Sequence, residues 1–266
     1  MKTVFPRHGW NGFELRVEKN THLILDLLDE FSFKPKATFF ILGWVACRCP
    51  DLVREIIHRG HEVASHGYGH TLCSELSAPE LAQDVIQSKK MLEDIAGQGI
   101  DGYRAPSFSI SDAMLDAVRK AGYLYDSSYN SFSAHGRYGK INLNGSPNFQ
   151  GIYDLGSRFF EIPISNLEFK NFIIPMGGGG YFRLYPLALF CRGVQRILNK
   201  EKLFVYYAHP WEFDPCQPRI KKMPLLFRFR HYVNLARTEN KLRGFIHWFE
   251  TAKFMTMSQY KESICP

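Results

Sequence analysis

Two histidines four residues apart, His66 and His70, close the stretch His61-Glu62-Val63-Ala64-Ser65-His66-Gly67-Tyr68-Gly69-His70. Imidazole is the commonest side chain through which proteins hold a metal, and it does so as the neutral base. On a helix this spacing would put both rings on one face. Gly67 and Gly69 disfavour a helix, so the stretch reads as a short strand, 62–65, running into a tight loop that can also bring the rings together. His61-Glu62 with His66 misses the zincin pattern H-E-x-x-H by one residue. Two ligands do not complete a catalytic zinc site, which takes three protein groups and an open position, and two surface histidines in a turn would read the same way. Three further polar groups follow apolar runs: Arg104 after Gly102-Tyr103, Asp126 after Tyr123-Leu124-Tyr125, and His209 after residues 203–208. A lone arginine or histidine at a strand end is commonly structural. Four such clusters at successive strand ends point to one shared site.

The elements that must position them are legible from periodicity. Val17, Leu23, Leu25, Leu27 and Leu28 form one face of a helix over 16–31, and residues 36–43 form a buried strand. Residues 50–60 predict a helix with Pro50 in its first turn and Gly60 as its stop. Ser77-Ala78-Pro79-Glu80 is a capping box, opening a helix that ends at Gly97. Another helix spans 111–121. Strand and helix in alternation predict parallel βα units with right-handed crossovers. The histidines, Arg104 and Asp126 then lie at C-terminal strand ends, the rim where barrels build their sites. From 127 to 180 glycine, asparagine, serine and aromatics dominate, with a short strand at 159–163. Gly177-Gly178-Gly179-Gly180 reads equally as a mobile turn or a substrate-facing loop. A helix over 186–199, a buried strand over 203–208, a final amphipathic helix over 238–249 and a last strand over 254–257 complete the chain. There is no internal repeat.

The chain has 266 residues, of which 45% are hydrophobic and 22% charged, ordinary for a globular protein. Its aromatic content of 15% suits both a Phe-rich core and sugar-stacking surfaces. The formal net charge is +7. Between Gln217 and Arg243, Arg219, Lys221, Lys222, Arg228, Arg230, Arg237, Lys241 and Arg243 face only Glu239. Such an excess admits an acidic polysaccharide, a membrane surface or a nucleic acid as partner, although a solvated basic face accounts for it equally. No nucleic-acid-binding signature accompanies it, so no nucleic-acid partner is expected. The six cysteines form no C-x-x-C pair. The N-terminus carries no apolar leader pattern and no run approaches a membrane span, so the expectation is a cytoplasmic protein without an integral membrane segment.

With these motifs the chain resembles the NodB-homology polysaccharide deacetylases, carbohydrate esterase family four. The resemblance rests on Ser65-His66-Gly67-Tyr68-Gly69-His70, on Tyr103-Arg104-Ala105-Pro106 and on the late strand ending in His209. It is nearest to the exopolysaccharide-cluster branch, through 37–43, through Gly177-Gly178-Gly179-Gly180-Tyr181-Phe182-Arg183, through His209-Pro210-Trp211-Glu212 and through Arg228-Phe229-Arg230-His231-Tyr232. The resemblance implies an α/β fold, a distorted (β/α) barrel. It implies a single domain over 1–266, with a motif-bearing core at about 15–130 and a family-specific part at about 135–265 completing the barrel. It also implies metal-dependent hydrolysis of N-acetyl groups on an N-acetylhexosamine polymer, in exopolysaccharide synthesis. His66 and His70 would hold the divalent metal, Zn2+ by preference. His209 would be the general acid, Asp126 would orient it, and Arg104 would pair with the catalytic base. Tyr103, Pro106, Tyr129, Gly178, Gly179, Tyr181 and Trp211 would line the substrate groove. A non-catalytic sugar-binding pseudoenzyme and a small-molecule amide hydrolase on the same barrel are the alternatives.

One departure stands out. The family's first motif, an acidic strand near the N-terminus, supplies the base and an acidic metal ligand. Only Met1 to Val4 precede the segment resembling Phe5-Pro6-Arg7-His8-Gly9-Trp10, and they contain no acid, while Asp26 and Asp29 sit in the first helix. The expectation is therefore a barrel lacking its first strand, from a shortened reading frame rather than a deliberate loss. It would have impaired activity and an Arg104 without its partner, a costly buried charge.

Overall fold

The structure is a computed structural model that describes residue 12 and residues 14–132, 138–143, 146–170, 172–220 and 224–264. Residues 1–11, where the sequence lacks the expected acid, lie outside the described residues, as do Lys221 and Lys222. Helix α1 (Val17–Asp29) buries Leu25, Leu27 and Leu28. Strand β1 (Thr38–Ile41), the short helix α2 (Gly43–Ala46), α3 (Pro50–His58), β2 (Glu62–Ser65), α4 (Ala78–Ala96), β3 (Gly102–Tyr103), α5 (Asp112–Lys120) and β4 (Tyr125–Asp126) follow in the expected alternation. The capping box of Ser77 and Glu80 starts α4, and Gly97 ends it in the left-handed region at φ 67°.

The segment read as irregular holds short strands: β5 (Asn148–Phe149), β6 (Ile152–Asp154), β7 (Phe160–Glu161), and a separate hairpin of β8 (Asn166–Phe169) and β9 (Phe172–Pro175). The main sheet runs β1-β2-β3-β4-β7-β6-β5. Pairing is parallel from β1 to β7 and antiparallel in the β7-β6-β5 meander. The result is a mixed α/β fold. Among the described residues β1 is an edge of this sheet rather than an interior strand of a closed barrel. The pairing of β4 with β7 joins the motif-bearing half to the C-terminal half. That half adds α6 (Gly179–Leu184), α7 (Leu187–Glu201), α8 (Leu225–Tyr232), α9 (Thr238–Trp248) and α10 (Met257–Ile264).

Two expectations need correction. Residues 203–208 are extended but form no ladder. Tyr207 alone bridges Gly178, and the Val205 N–H donates to the Ser165 hydroxyl at 2.8 Å instead of to a strand. Residues 254–257 are not a strand either, since helix α10 begins at Met257. Thr256 and Gln259 form a reciprocal cap, Thr256 N to Gln259 Oε1 at 3.1 Å and Gln259 N to Thr256 Oγ1 at 3.2 Å. The Glu62 carboxylate takes the Ser258 N–H at 3.1 Å, a favourable charge at a helix start.

Three apolar clusters surround the sheet. One packs β1 to β3 against α3 to α5. A second gathers Phe182, Phe190 and Phe245 beneath α1, α6, α7 and α9. The third, with Tyr125, Ile162, Ile164 and Val205, reaches Phe40 and Tyr207 and forms the floor under the strand ends.

Candidate functional site

Register explains how the strands deliver the polar groups. Ser65 pairs with Tyr103, Tyr103 with Asp126, and Asp126 with Glu161. Paired residues leave a sheet on the same face, and the next residue leaves on the other. His66, Arg104 and Ser127 therefore form the following row. The His66 Nδ1–H donates to the Arg104 carbonyl at 2.7 Å, which leaves Nε2 as the free base. The rings of His66 and His70 meet edge to face, with centroids 5.2 Å apart. Burial, together with the positive potential of His70, Arg104 and His209, holds the His66 imidazole well below its ordinary 6.5. His70 sits at φ 58°, a strained conformation for a side-chain-bearing residue of the kind that collects at functional sites. Behind the loop, Asp84 on α4 accepts the Tyr68 N–H at 3.0 Å and fixes the turn between the histidines.

Arg104 is buried, with its guanidinium 4.1 Å above the Phe40 ring and flanked by Phe108 and Tyr207. Its Nε donates to the Ser127 carbonyl at 2.8 Å and a terminal nitrogen to the Ser127 hydroxyl at 2.6 Å. Burial pushes its pKa down to about 10, so it remains a cation at neutral pH. Among the described residues no carboxylate reaches it within ion-pair distance; its hydrogen bonds are to Ser127.

His209 follows the extended segment and is 49% exposed at the side chain. Its carboxylate partner is not Asp126. Glu212 Oε1 accepts both the His209 Nδ1–H and the His209 backbone N–H, each at 3.0 Å. Although burial opposes it, hydrogen bonding to His209 and the charges of His209 and Arg183 hold the Glu212 carboxyl below its ordinary value. Arg183, fully buried, donates Nε to Glu212 Oε2 at 2.9 Å and its terminal nitrogens to the carbonyls of Arg230, His231 and Val233. Trp211 lies between two imidazoles, 5.6 Å from His209 and 4.1 Å from His231, both stacked.

Asp126 was expected beside His209 but belongs to a different group. It shares the face of fully buried Tyr103, and it accepts the Ser128 N–H at 2.9 Å and the Ser128 hydroxyl at 2.8 Å. Its neighbour is Glu161, which accepts the Tyr129 N–H at 2.9 Å. Burial, then the Asp126 charge, raises the Glu161 carboxyl well above its ordinary range. Its second oxygen receives no N–H or O–H donor among the described residues, as expected of a carboxyl that keeps its own proton; burial raises the Asp126 carboxyl as well, though less than that of Glu161. Two carboxyls this close do not both ionise.

The expected groove residues divide. Tyr103 is fully buried with its hydroxyl 3.8 Å from Cys73 Sγ, and Pro106 is buried at the start of a 3₁₀ turn, so both support the site from below. Tyr129 and Tyr181 are half-buried and offer ring surface, whereas the equally half-buried Trp211 has its ring stacked against His209 and His231. Gly178 and Gly179 are buried by the protein's own atoms. A Cβ on Gly179 would collide with the Glu212 carboxylate, and one on Gly178 would stand 2.9 Å from the Tyr207 hydroxyl. The glycine run thus lets backbone close on the His209 segment rather than on a ligand. Sequence reasoning missed Glu212, Arg183 and Glu161. The first was within reach, three residues from His209 in His-Pro-Trp-Glu.

The two imidazoles suit a divalent metal: a neutral His66 Nε2 faces a second ring held at close range. Among the described residues no third His, Cys, Asp or Glu joins them in a metal-holding cluster.

Residues 9–125 match the family described as polysaccharide deacetylase, and residues 127–262 match a domain of unknown function, DUF3473. A peptidoglycan-N-acetylglucosamine deacetylase of Bacillus cereus is 34% identical over 103 residues, 39% of this chain and 47% of that protein. The chain thus spans less than half the length of this curated relative. Among solved structures, a protein assigned to the polysaccharide deacetylases from Mycobacterium smegmatis superposes with a TM-score of 0.58 at 22% identity, over 92% of this chain and 76% of that one. Puue allantoinase superposes with a TM-score of 0.56 at 16% identity, over 91% and 71%. At such identities these likenesses speak for the fold alone.

Proposed function

Because the chain belongs to the polysaccharide deacetylase family, with the DUF3473 domain as its C-terminal part, we propose that it hydrolyses N-acetyl groups of an N-acetylhexosamine polymer, in the cytoplasm and in the service of exopolysaccharide synthesis. We take residues 1–266 as one deacetylase domain, since β7 of the C-terminal half pairs with β4 of the first. The observation that carries the reading is a set of histidines near enough for the His209 charge to act on His66, each with one ring nitrogen committed to a partner. His66 has its Nδ1–H spent on a carbonyl, and His209 has its Nδ1–H spent on Glu212.

His66 Nε2 and His70 would hold a divalent ion, with zinc the natural choice for imidazole donors. Such an ion supplies Lewis acidity toward the acetyl carbonyl and toward water. His209, oriented through Nδ1 by Glu212, would protonate the departing amine from Nε2 as imidazolium. Glu212 takes the orienting role expected of Asp126, and Arg183 holds Glu212 ionised. Arg104, a desolvated cation beside the His66 carbonyl contact, keeps a positive potential where negative charge develops on the acyl oxygen. Half-buried Tyr129 and Tyr181 supply stacking faces for sugar rings.

The described residues supply neither a third ligand nor a base carboxylate beside His66 and His70. The proposal is accordingly that the 266-residue chain holds metal weakly and turns over slowly, general-base help being worth about 10²–10⁴-fold. The same observation favours, as a second reading, a sugar-binding protein without turnover. Acetate release from acetylated chitooligosaccharides, measured with and without added zinc, separates the two. Slow, zinc-dependent release that His209→Ala abolishes supports the first, and glycan binding with no release supports the second.

A further inference from the structure

Helix α8 buries none of its residues. Its last turn is held in place: Arg183 takes the carbonyls of Arg230 and His231, and the His231 ring stacks on Trp211 at 4.1 Å. The Tyr232 hydroxyl donates to the Pro218 carbonyl and accepts the Ile220 N–H. The rest of the helix projects from this anchor. Leu225 is 79% exposed, Leu226 77%, Phe227 45% and Phe229 57%. Scattered exposed apolar side chains are ordinary, but a contiguous apolar patch marks an interaction surface. On a helix of 100° per residue, Leu225, Phe229 and Leu226 share an arc of about 100°, with exposed Arg228 and Arg230 on its two flanks.

We propose that α8 is an interfacial docking element that lays Leu225, Leu226 and Phe229 into an anionic lipid surface while Arg228 and Arg230 engage the headgroups. An apolar stripe of Leu and Phe bordered by arginines is the pattern of a helix lying in a membrane interface. At eight residues it is far too short to span, and among the described residues no helix is long and apolar enough to cross a membrane. The charge supports the choice of occupant. The whole chain carries +7, and an anionic leaflet attracts such a surface. A neutral glycan stacks on flat aromatic faces and gains little from Leu225, Leu226 or the arginines. A second copy docking through the same stripe would bring the arginines of both copies together. The candidate site would then open beside the bilayer, since Trp211 is shared by His209 and the α8 anchor.

The test is co-sedimentation of the full chain with vesicles of phosphatidylcholine alone and of an equimolar mixture with phosphatidylglycerol. Binding is expected to the mixture, weakened by salt, and at least about tenfold lower for Leu226→Ser combined with Phe229→Ser. Each of Arg228→Gln and Arg230→Gln is expected to lower it by about fivefold. These side chains are exposed, so the melting temperature should not change, and an unchanged melt keeps the comparison valid. Equal binding by the Ser variant, or no binding to either vesicle, overturns the proposal. So does concentration-dependent dimerisation, or retention on a neutral N-acetylated glycan, that the Ser variant abolishes while vesicle binding is absent.

Discussion

Glu212→Ala is the most informative single change, because Glu212 serves two sites at once. Its side chain is 2% exposed, and that of Arg183, its partner at 2.9 Å, is 1% exposed. Removing one member of a buried ion pair costs about 3–5 kcal/mol, since the other charge stays behind uncompensated. Arg183 keeps its hydrogen bonds to the carbonyls of Arg230, His231 and Val233, so the lower end applies, about 3 kcal/mol. In a chain of this size that lowers the melting temperature by about 6–12 °C. Glu212→Gln keeps the shape and one acceptor and should cost about half as much. Adding Arg183→Met to Glu212→Ala should recover part of the loss, because the orphaned charge is then gone. Calorimetry or far-ultraviolet circular dichroism reads all three. A shift below about 2 °C for Glu212→Ala would refute the reasoning, as would a double variant less stable than Glu212→Ala by the full cost of Arg183→Met alone.

Gly179→Ala should be destabilising by about 1–3 kcal/mol, because its Cβ must displace Glu212, whereas Gly180→Ala, with no neighbour within 4 Å, should be neutral; equal melting temperatures would remove the close-approach account of the glycine run. Glu161 is protonated in the fold and ionised in the unfolded chain above its ordinary 4.5, so the folded state binds the extra proton. Its stabilising contribution is complete below that value and is lost as pH rises toward the folded pKa, at about 1.4 kcal/mol per unit. Glu161→Gln, which keeps a donor toward Asp126 and an acceptor for the Tyr129 N–H, should flatten that decline in denaturant titrations across the same range, and a slope unchanged by the substitution would contradict the shared proton.

Much of the frame was legible because its signals are local. Ser77 and Glu80 announce α4 three residues apart, and Pro50 and Gly60 bracket α3. His66 and His70 were found together because one loop carries both. Thr256 and Gln259 carry the same kind of cap signal as Ser77 and Glu80, but the apolar Phe254, Met255 and Met257 around them suggested a strand. The partner of His209 was misread for a different reason. Asp126 and His209 both follow apolar runs, yet strand parity turns Asp126 to the face of Tyr103, and parity shows only once the register with β3 is fixed. The pairing of Asp126 with Glu161 likewise depends on β7 entering beside β4, across a segment in which the sequence showed only a short strand. The glycine run was ambiguous because the absence of a side chain does not say whether ligand or protein fills the space. In α8, Leu-Leu-Phe-Arg-Phe-Arg has no clean period, and only its exposure separates it from a core helix.

The central claim is that His66 and His70 form a metal-binding pair, and isothermal titration of zinc into the 266-residue chain tests it most directly. The account predicts one weakly held ion per chain, lost on either His66→Ala or His70→Ala and retained in His209→Ala. Zinc binding that survives both loop substitutions, or that disappears with His209→Ala alone, would contradict it.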